Sequence, residues 1–443
     1  MMAKMTTKEV VDKSRQYNLF SWSVQSKVSP LVIDTAEGIY LYTKDGEKYV
    51  DLSAQLINTN VGHQNKKVIQ AIKDQADQLT FVSPGFATEI KARCAEKIIG
   101  LLPDTFGKCF FTNAGAESNE NAIKIARYYT GKQKIMSRYR SYHGATMGAL
   151  SLTGDPRRWP AEPGIPGIVR VLDPFCYRCP FGKEYGACEF ECVKHVEEVI
   201  MYEGADNIAA FIYESSVGTN GMFPAPKEWY QGVRKICDKN GILMIADEVM
   251  AGWGRTGKMF AFENFDYVPD IITTAKGITS GYVPLGVVAV STKIAEFFED
   301  NMLAAGLTYS GHTLAMAAAI ACIEVYEEDK MVENSAELGK LVGEKMNELK
   351  AKHKCIGDVR GLGLFWGIEF VKNRKTKELM CPFGGGPSPL DELRTRLLKR
   401  GIIVLIHWGL LQFGPPLCIT KEQVEDAFKI LDEEITYIDA YAE

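Results

Sequence analysis

Through the middle of the chain, short apolar runs alternate with amphipathic stretches. The runs are "KCFFTN" (108–113), "KIMSRY" (134–139), "IAAFIYES" (208–215), "ILMIADEV" (242–249), "IITTAK" (271–276) and "GVVAVST" (286–292). Between several of them, "ESNENAIKIARYYTG" (117–131) and "KEWYQGVRKICDKNG" (227–241) repeat their apolar positions at helical spacing. Strands alternating with helices predict an α/β fold with a mostly parallel sheet covered on both faces. After about residue 312 the pattern changes. "LAMAAAIACIEVYEED" and "VENSAELGKLVGEKMNELKAKHK" read as long helices, "GLGLFWGIEFV" as a glycine-rich strand and "KEQVEDAFKILDEEITYI" as a closing helix. The expected division is a large domain over 64–312 and a smaller α+β domain over 313–443, joined by the segment 1–63.

Composition narrows the partners. Lys and Arg total 51 against 56 Asp and Glu, a net charge of −5, and no basic block occurs, which argues against nucleic acid. No run of about 18 uninterrupted apolar residues predicts a membrane span. The opening "MMAKMTTKEVVDKSRQ" lacks the apolar core of a signal peptide, and eleven scattered cysteines suit a reducing cytoplasm.

The chemistry gathers where strands end, which is where open α/β sheets bind ligands. Lys276 follows "IITTA", Asp247 closes "ILMIA", and Glu214 ends "AAFIY". "TNAGAESNE" (112–120) is a glycine turn opening a helix, whose unpaired N–H groups at Gly115 and Ala116 can receive a phosphate. Tyr142 and His143 precede a glycine in "YHGATMGALSLTG", where an aromatic can fill core or stack on a flat cofactor. A strand-end lysine, a strand-end carboxylate, an aromatic and a phosphate cradle together suit pyridoxal 5'-phosphate: an amine for its aldehyde, an acid for its ring nitrogen.

"LMIADEVMAGWGRTGKMFAFE", "TTAKGITSGYVPLG", "TNAGAESNENAIKIAR", "YHGATMGAL" and "LTYSGHTLAMAAA" resemble the signature segments of class III pyridoxal-phosphate aminotransferases, in the family's order from about "DGEKYVDLSA" to "PPLCIT". The resemblance implies a fold type I homodimer, or a tetramer built from it, working on small-molecule amines and keto acids. By motif, Lys276 would be the Schiff-base lysine and Asp247 the partner of the pyridine nitrogen. Val249 and Tyr142 would press on the two ring faces, Gly115 and Ala116 would hold the phosphate, and Thr308 would contribute from the neighbouring subunit. Glu214 fits less closely, since the family commonly reads Glu-Pro where this chain has Glu214-Ser215; a surface carboxylate is the alternative.

Other features carry plainer readings. His143 and His63 read as hydrogen-bonded structural histidines. "GWGRTGK" (252–258) imitates a phosphate-binding loop but is followed by Met259 instead of Ser or Thr, so it is read as a chance match. Cys176, Cys179, Cys188 and Cys192 have metal-ligand spacing and read either as a structural zinc or iron–sulfur site or as reduced thiols packed as small apolar groups; no catalytic metal is expected. The family's usual carboxylate-binding arginine is absent both after "YHG", where Ala145 stands, and in "LIHWGLLQFGPPLCIT" (405–420). Arg157, Arg158, Arg138 and Arg140 are candidate replacements. The missing clamp and the "PFCYRCPFGKEYGAC" insertion resemble the ω-amino branch of the family, with taurine the favoured donor over β-alanine, 4-aminobutyrate or diamines. An aminomutase on the same scaffold and a non-catalytic pyridoxal-phosphate regulator are the competing readings.

Overall fold

The computed structural model describes residues 5–443; the first four residues of the expected N-terminal segment lie outside them. Its centre is a seven-stranded sheet of β1 (Phe106–Thr112), β2 (Lys134–Arg138), β3 (Ile168–Val171), β4 (Ile208–Glu214), β5 (Leu243–Asp247), β6 (Ile271–Thr274) and β7 (Gly286–Ser291). The order is β1-β7-β6-β5-β4-β2-β3, and β7 alone runs against the rest. Every residue of β4, β5 and β6 is buried, as their unbroken apolar runs require of strands covered on both faces. Helices α1 (Gly115–Thr130) and α2 (Lys227–Asn240) each stop at a glycine with left-handed backbone, Gly131 (φ 69°) and Gly241 (φ 58°).

Two smaller sheets flank this core. Ile33–Glu37, Tyr40–Thr43 and Lys48–Asp51 form a meander that pairs in parallel with Ile402–Ile403, Ile402 lying opposite Val50. The other sheet joins Ile356–Leu362, Phe365–Asn373, Leu410–Phe413 and Leu405–His407, all antiparallel. The helices α3 (Thr313–Glu328), α4 (Met331–Lys352) and α5 (Lys421–Ile438) match the expected C-terminal helices.

One expectation is corrected. "GLGLFWGIEFV" is not a single strand but the turn of a hairpin, reversing at Gly363 (φ 53°). A Cβ there would come within 2.5 Å of Gly257 N, so only glycine lets the 254–257 loop reach the turn. That loop is the segment resembling a phosphate loop, and its Arg255 explains it otherwise. Arg255 is fully buried and donates to the carbonyls of Leu364 and Pro415 and to Asn60 Oδ1. It therefore pins three distant segments together. His63 also sits as a structural group, bonded to Asp51 Oδ2 at 3.0 Å.

Candidate active site

The ends of β5 and β6 lie side by side, with Asp247 opposite Thr273. Three residues beyond Thr273, Lys276 adopts a left-handed backbone (φ 50°), unusual for a side chain other than Gly, Asn or Asp. Burial lowers the pKa of its ammonium below lysine's ordinary value; the carboxylates of Asp247 and Glu214 oppose that shift, and the Arg157 guanidinium adds to it. The result is an amine closer to its neutral, nucleophilic form than a surface lysine.

Asp247 is buried and held from three directions. Oδ2 accepts from His143 Nδ1 at 2.7 Å and from Asn119 Nδ2 at 2.8 Å, while Oδ1 accepts from the N–H of Val249 at 3.0 Å. Asn119 also donates to the His143 carbonyl (2.7 Å) and accepts from Thr273 Oγ1 (2.7 Å). These bonds fix the orientation of the carboxylate. His143 is hydrogen-bonded, as expected, but its partner is the one carboxylate that matters most. Asn119 was not singled out at all, although its place one helical turn after Gly115 puts it on the same face of α1 as the expected phosphate amides.

Glu214 is no surface carboxylate. It is 4% exposed and accepts from the N–H groups of Tyr142 (3.0 Å) and Gly218 (2.8 Å), and burial together with the charge of Asp247 raises its pKa. It ties the "YHG" segment to the end of β4. The neighbouring Glu248, fully buried, accepts from the N–H groups of Ala261 (2.8 Å) and Phe262 (2.9 Å), and burial pushes its pKa up to about 7.

Ala114 leaves the start of α1 without a side-chain cap, so the N–H groups of Gly115 and Ala116 stay open at the positive end of the helix dipole. A Cβ on Gly115 would lie 2.7 Å from Val249 Cγ1, and one on Gly144 would lie 2.5 Å from Ala116 Cβ. The open helix start, Val249 and the "YHG" segment thus close on one another around Asp247. A phosphate at the amides, a ring nitrogen toward Asp247 and an aldehyde toward Lys276 match the donors and acceptors present, so the residues fit pyridoxal phosphate. Thr308 stands apart from this group. It is exposed, in a loop anchored by the Ser310 Oγ hydrogen bond to the Phe111 carbonyl (2.8 Å).

The four arginine candidates separate clearly. Arg138 donates to the Glu214 carbonyl and Arg140 to that of Asn220, with its guanidinium 4.7 Å from the Phe175 ring centroid. Arg158 pairs with Glu162. Only Arg157 stands over Tyr142, its guanidinium 3.7 Å from that ring centroid. In the strand where a clamp arginine is missing stands Gln412, 1% exposed, with neither amide atom hydrogen-bonded.

Cys176, Cys179, Cys188 and Cys192 are free thiols lining one cavity of about 20 Å³ with Phe181, Tyr185 and Phe190. Burial, with the neighbouring sulfurs, pushes the Cys192 thiol up to about 12. Among the described residues, no group of three or more His, Cys, Asp or Glu side chains is arranged to hold a metal.

A family model described as Aminotransferase class-III matches residues 21–435. The solved structure of the taurine:2-oxoglutarate aminotransferase from Bifidobacterium kashiwanohense, in complex with pyridoxal phosphate and glutamate, superposes with a TM-score of 0.96 at 42% identity over 99% of each chain. A leucine/methionine racemase of Thermococcus litoralis is 35% identical, covering 98% of this chain and 97% of its own. Taurine–pyruvate aminotransferase of Bilophila wadsworthia is 35% identical over 84% of each chain. The uncapped helix, the half-buried lysine and the braced aspartate thus stand in a chain that follows one family over most of its length, and the protein belongs to the class III aminotransferases, enzymes that depend on pyridoxal phosphate.

Proposed function

We propose that the chain transfers an amino group from a short ω-amino acid, taurine foremost, to 2-oxoglutarate or pyruvate by ping-pong exchange. The observation that carries the reading is the pairing of a half-buried Lys276, its pKa lowered by desolvation, with the braced Asp247 at the ends of adjacent parallel strands. The taurine-specific part is supported by similarity to taurine aminotransferases.

Each residue then has a defined task. When bound, pyridoxal phosphate supplies an electron-withdrawing ring that acidifies the C–H bond of an attached amine. The ε-amine of Lys276 would hold the cofactor's aldehyde carbon and, when free, would move the proton taken from the donor carbon. Asp247 would hold a proton at the ring nitrogen, with His143 and Asn119 fixing its carboxylate in place. The N–H groups of Gly115 and Ala116 receive the phosphate, and Val249 and Tyr142 confine the ring. Glu214 fixes Tyr142 through its backbone N–H.

The working unit we propose is a cytoplasmic homodimer in which Thr308 completes the neighbouring site; exposed Leu56, Phe86 and Tyr309 supply apolar surface for such a contact. Within each subunit, 1–63 joins 313–443 as a small domain beside 64–312, supported by the pairing of Ile402 with Val50.

A racemase reading is the second possibility, favoured by the full-length racemase relative. Omitting the keto acid separates the two. A transaminase stops after one turnover per site, whereas a racemase or an aminomutase continues. Lys276→Ala should abolish turnover, a loss of roughly 10⁴-fold or more, while circular dichroism shows a folded chain. Retained activity in that variant ends the assignment.

A further inference from the structure

We propose that Arg157 is the anchor for the acidic headgroup of the substrate, so that the site selects short amines ending in a sulfonate or a carboxylate. This rests on the transaminase reading and adds to it the group that sets substrate class.

Asp155 and Thr219 hold the guanidinium from one edge. Nε and Nη2 donate to the Asp155 carboxylate (3.0 and 2.5 Å to Oδ2), and Nη2 also donates to Thr219 Oγ1 (2.8 Å). Asp155 is itself fully buried and bound by Asn220 Nδ2 at 2.9 Å, so the fork cannot swing freely. Nη1 has no hydrogen-bond partner among the described residues. One edge is therefore spent on positioning, and the other is left for an anion.

The place of that free edge is set by its neighbours. The guanidinium lies over Tyr142, whose N–H is held by Glu214, and its field reaches Lys276. It reaches His407 as well, where burial first and the Arg157 charge second bring the pKa down to about 4, so that imidazole is neutral. The strand pair 405–407 and 410–413 presents His407 Nε2 and both amide atoms of Gln412 buried and unpartnered, but no cation. Arg157 is thus the charged group available to an oxyanion, with the neutral His407 imidazole within its field.

The test compares donors of matched chain length in the holoenzyme. Bleaching of the cofactor absorbance is followed with taurine, β-alanine and propylamine in the native chain, Arg157→Met and Arg157→Lys. Arg157→Met should raise the half-saturating concentration of both acids about 30-fold and leave that of propylamine within about threefold, with Arg157→Lys between. Taurine and β-alanine separate the sulfonate from the carboxylate preference. Binding of isethionate, which lacks the amine, is measured by calorimetry and should weaken at least about tenfold in Arg157→Lys. Equal losses for acidic and neutral donors, or no isethionate binding to the native chain, overturn the proposal. If Arg157→Met does not fold, the lysine variant and the native binding decide alone. If no amine, propylamine included, bleaches the native protein, the transaminase reading fails while the isethionate result still judges Arg157.

Discussion

The two sides of this site are built differently. On the side of Asp247, three acceptor positions of the carboxylate are taken, by His143, Asn119 and the Val249 N–H, with Thr273 bonded to the Asn119 amide and only His143 Nε2 left unpartnered beside it. On the side of Gln412 and His407, buried polar atoms have no partner. Unsatisfied buried amides cost free energy, so natural chains keep them where something else will meet them. The surroundings of Asp247 are the more fully satisfied; the strand pair that carries His407 and Gln412 is the less satisfied.

Breaking the satisfied side should cost most. Asp247→Asn keeps the shape but removes the charge, and turnover should fall about 10²–10³-fold with the chain still folded, measured as the rate of the first half-reaction. Next comes Glu248, whose raised pKa makes its burial pH-dependent. Its folded form binds a proton that the unfolded form has lost, so stability is fullest below the ordinary carboxylate range and declines as pH rises toward about 7. Denaturant titrations across that interval should show a loss of a few kcal/mol in the native chain and a shallower decline in Glu248→Gln, the remainder belonging to Glu214; an unchanged slope in the variant would assign the pH dependence elsewhere. The smallest effect belongs to the open side. Gln412→Met exchanges two unsatisfied atoms for apolar volume and should raise stability without substrate by about 1 kcal/mol, read as a higher denaturation midpoint at unchanged slope.

The same contrast decides what the sequence could say. Lys276, Asp247 and Gly115 were legible because strand ends and a helix start impose local patterns, and the structure brings Asp247, Gly115, Val249 and His143 to one place. Asn119 was not legible, because a polar residue on a buried helix face looks like any other until its partner across the fold is known. Arg157 could not be told from Arg138, Arg140 or Arg158: Arg138 closes β2 with Arg140 just beyond it, the other two sit in the short turn Pro156–Ala161, and only the packing of Asp155 turns one of them over Tyr142. The hairpin at Gly363 was hidden for a related reason. Its turn is dictated by the approach of the 254–257 loop, a contact no local pattern announces.

At position 276 the peptide geometry would suit glycine, and a charged amine is the least comfortable thing to enclose there. A chain shaped by robustness alone would discard it. On the reading proposed above, its presence would mark a spot where durability is surrendered for reactivity.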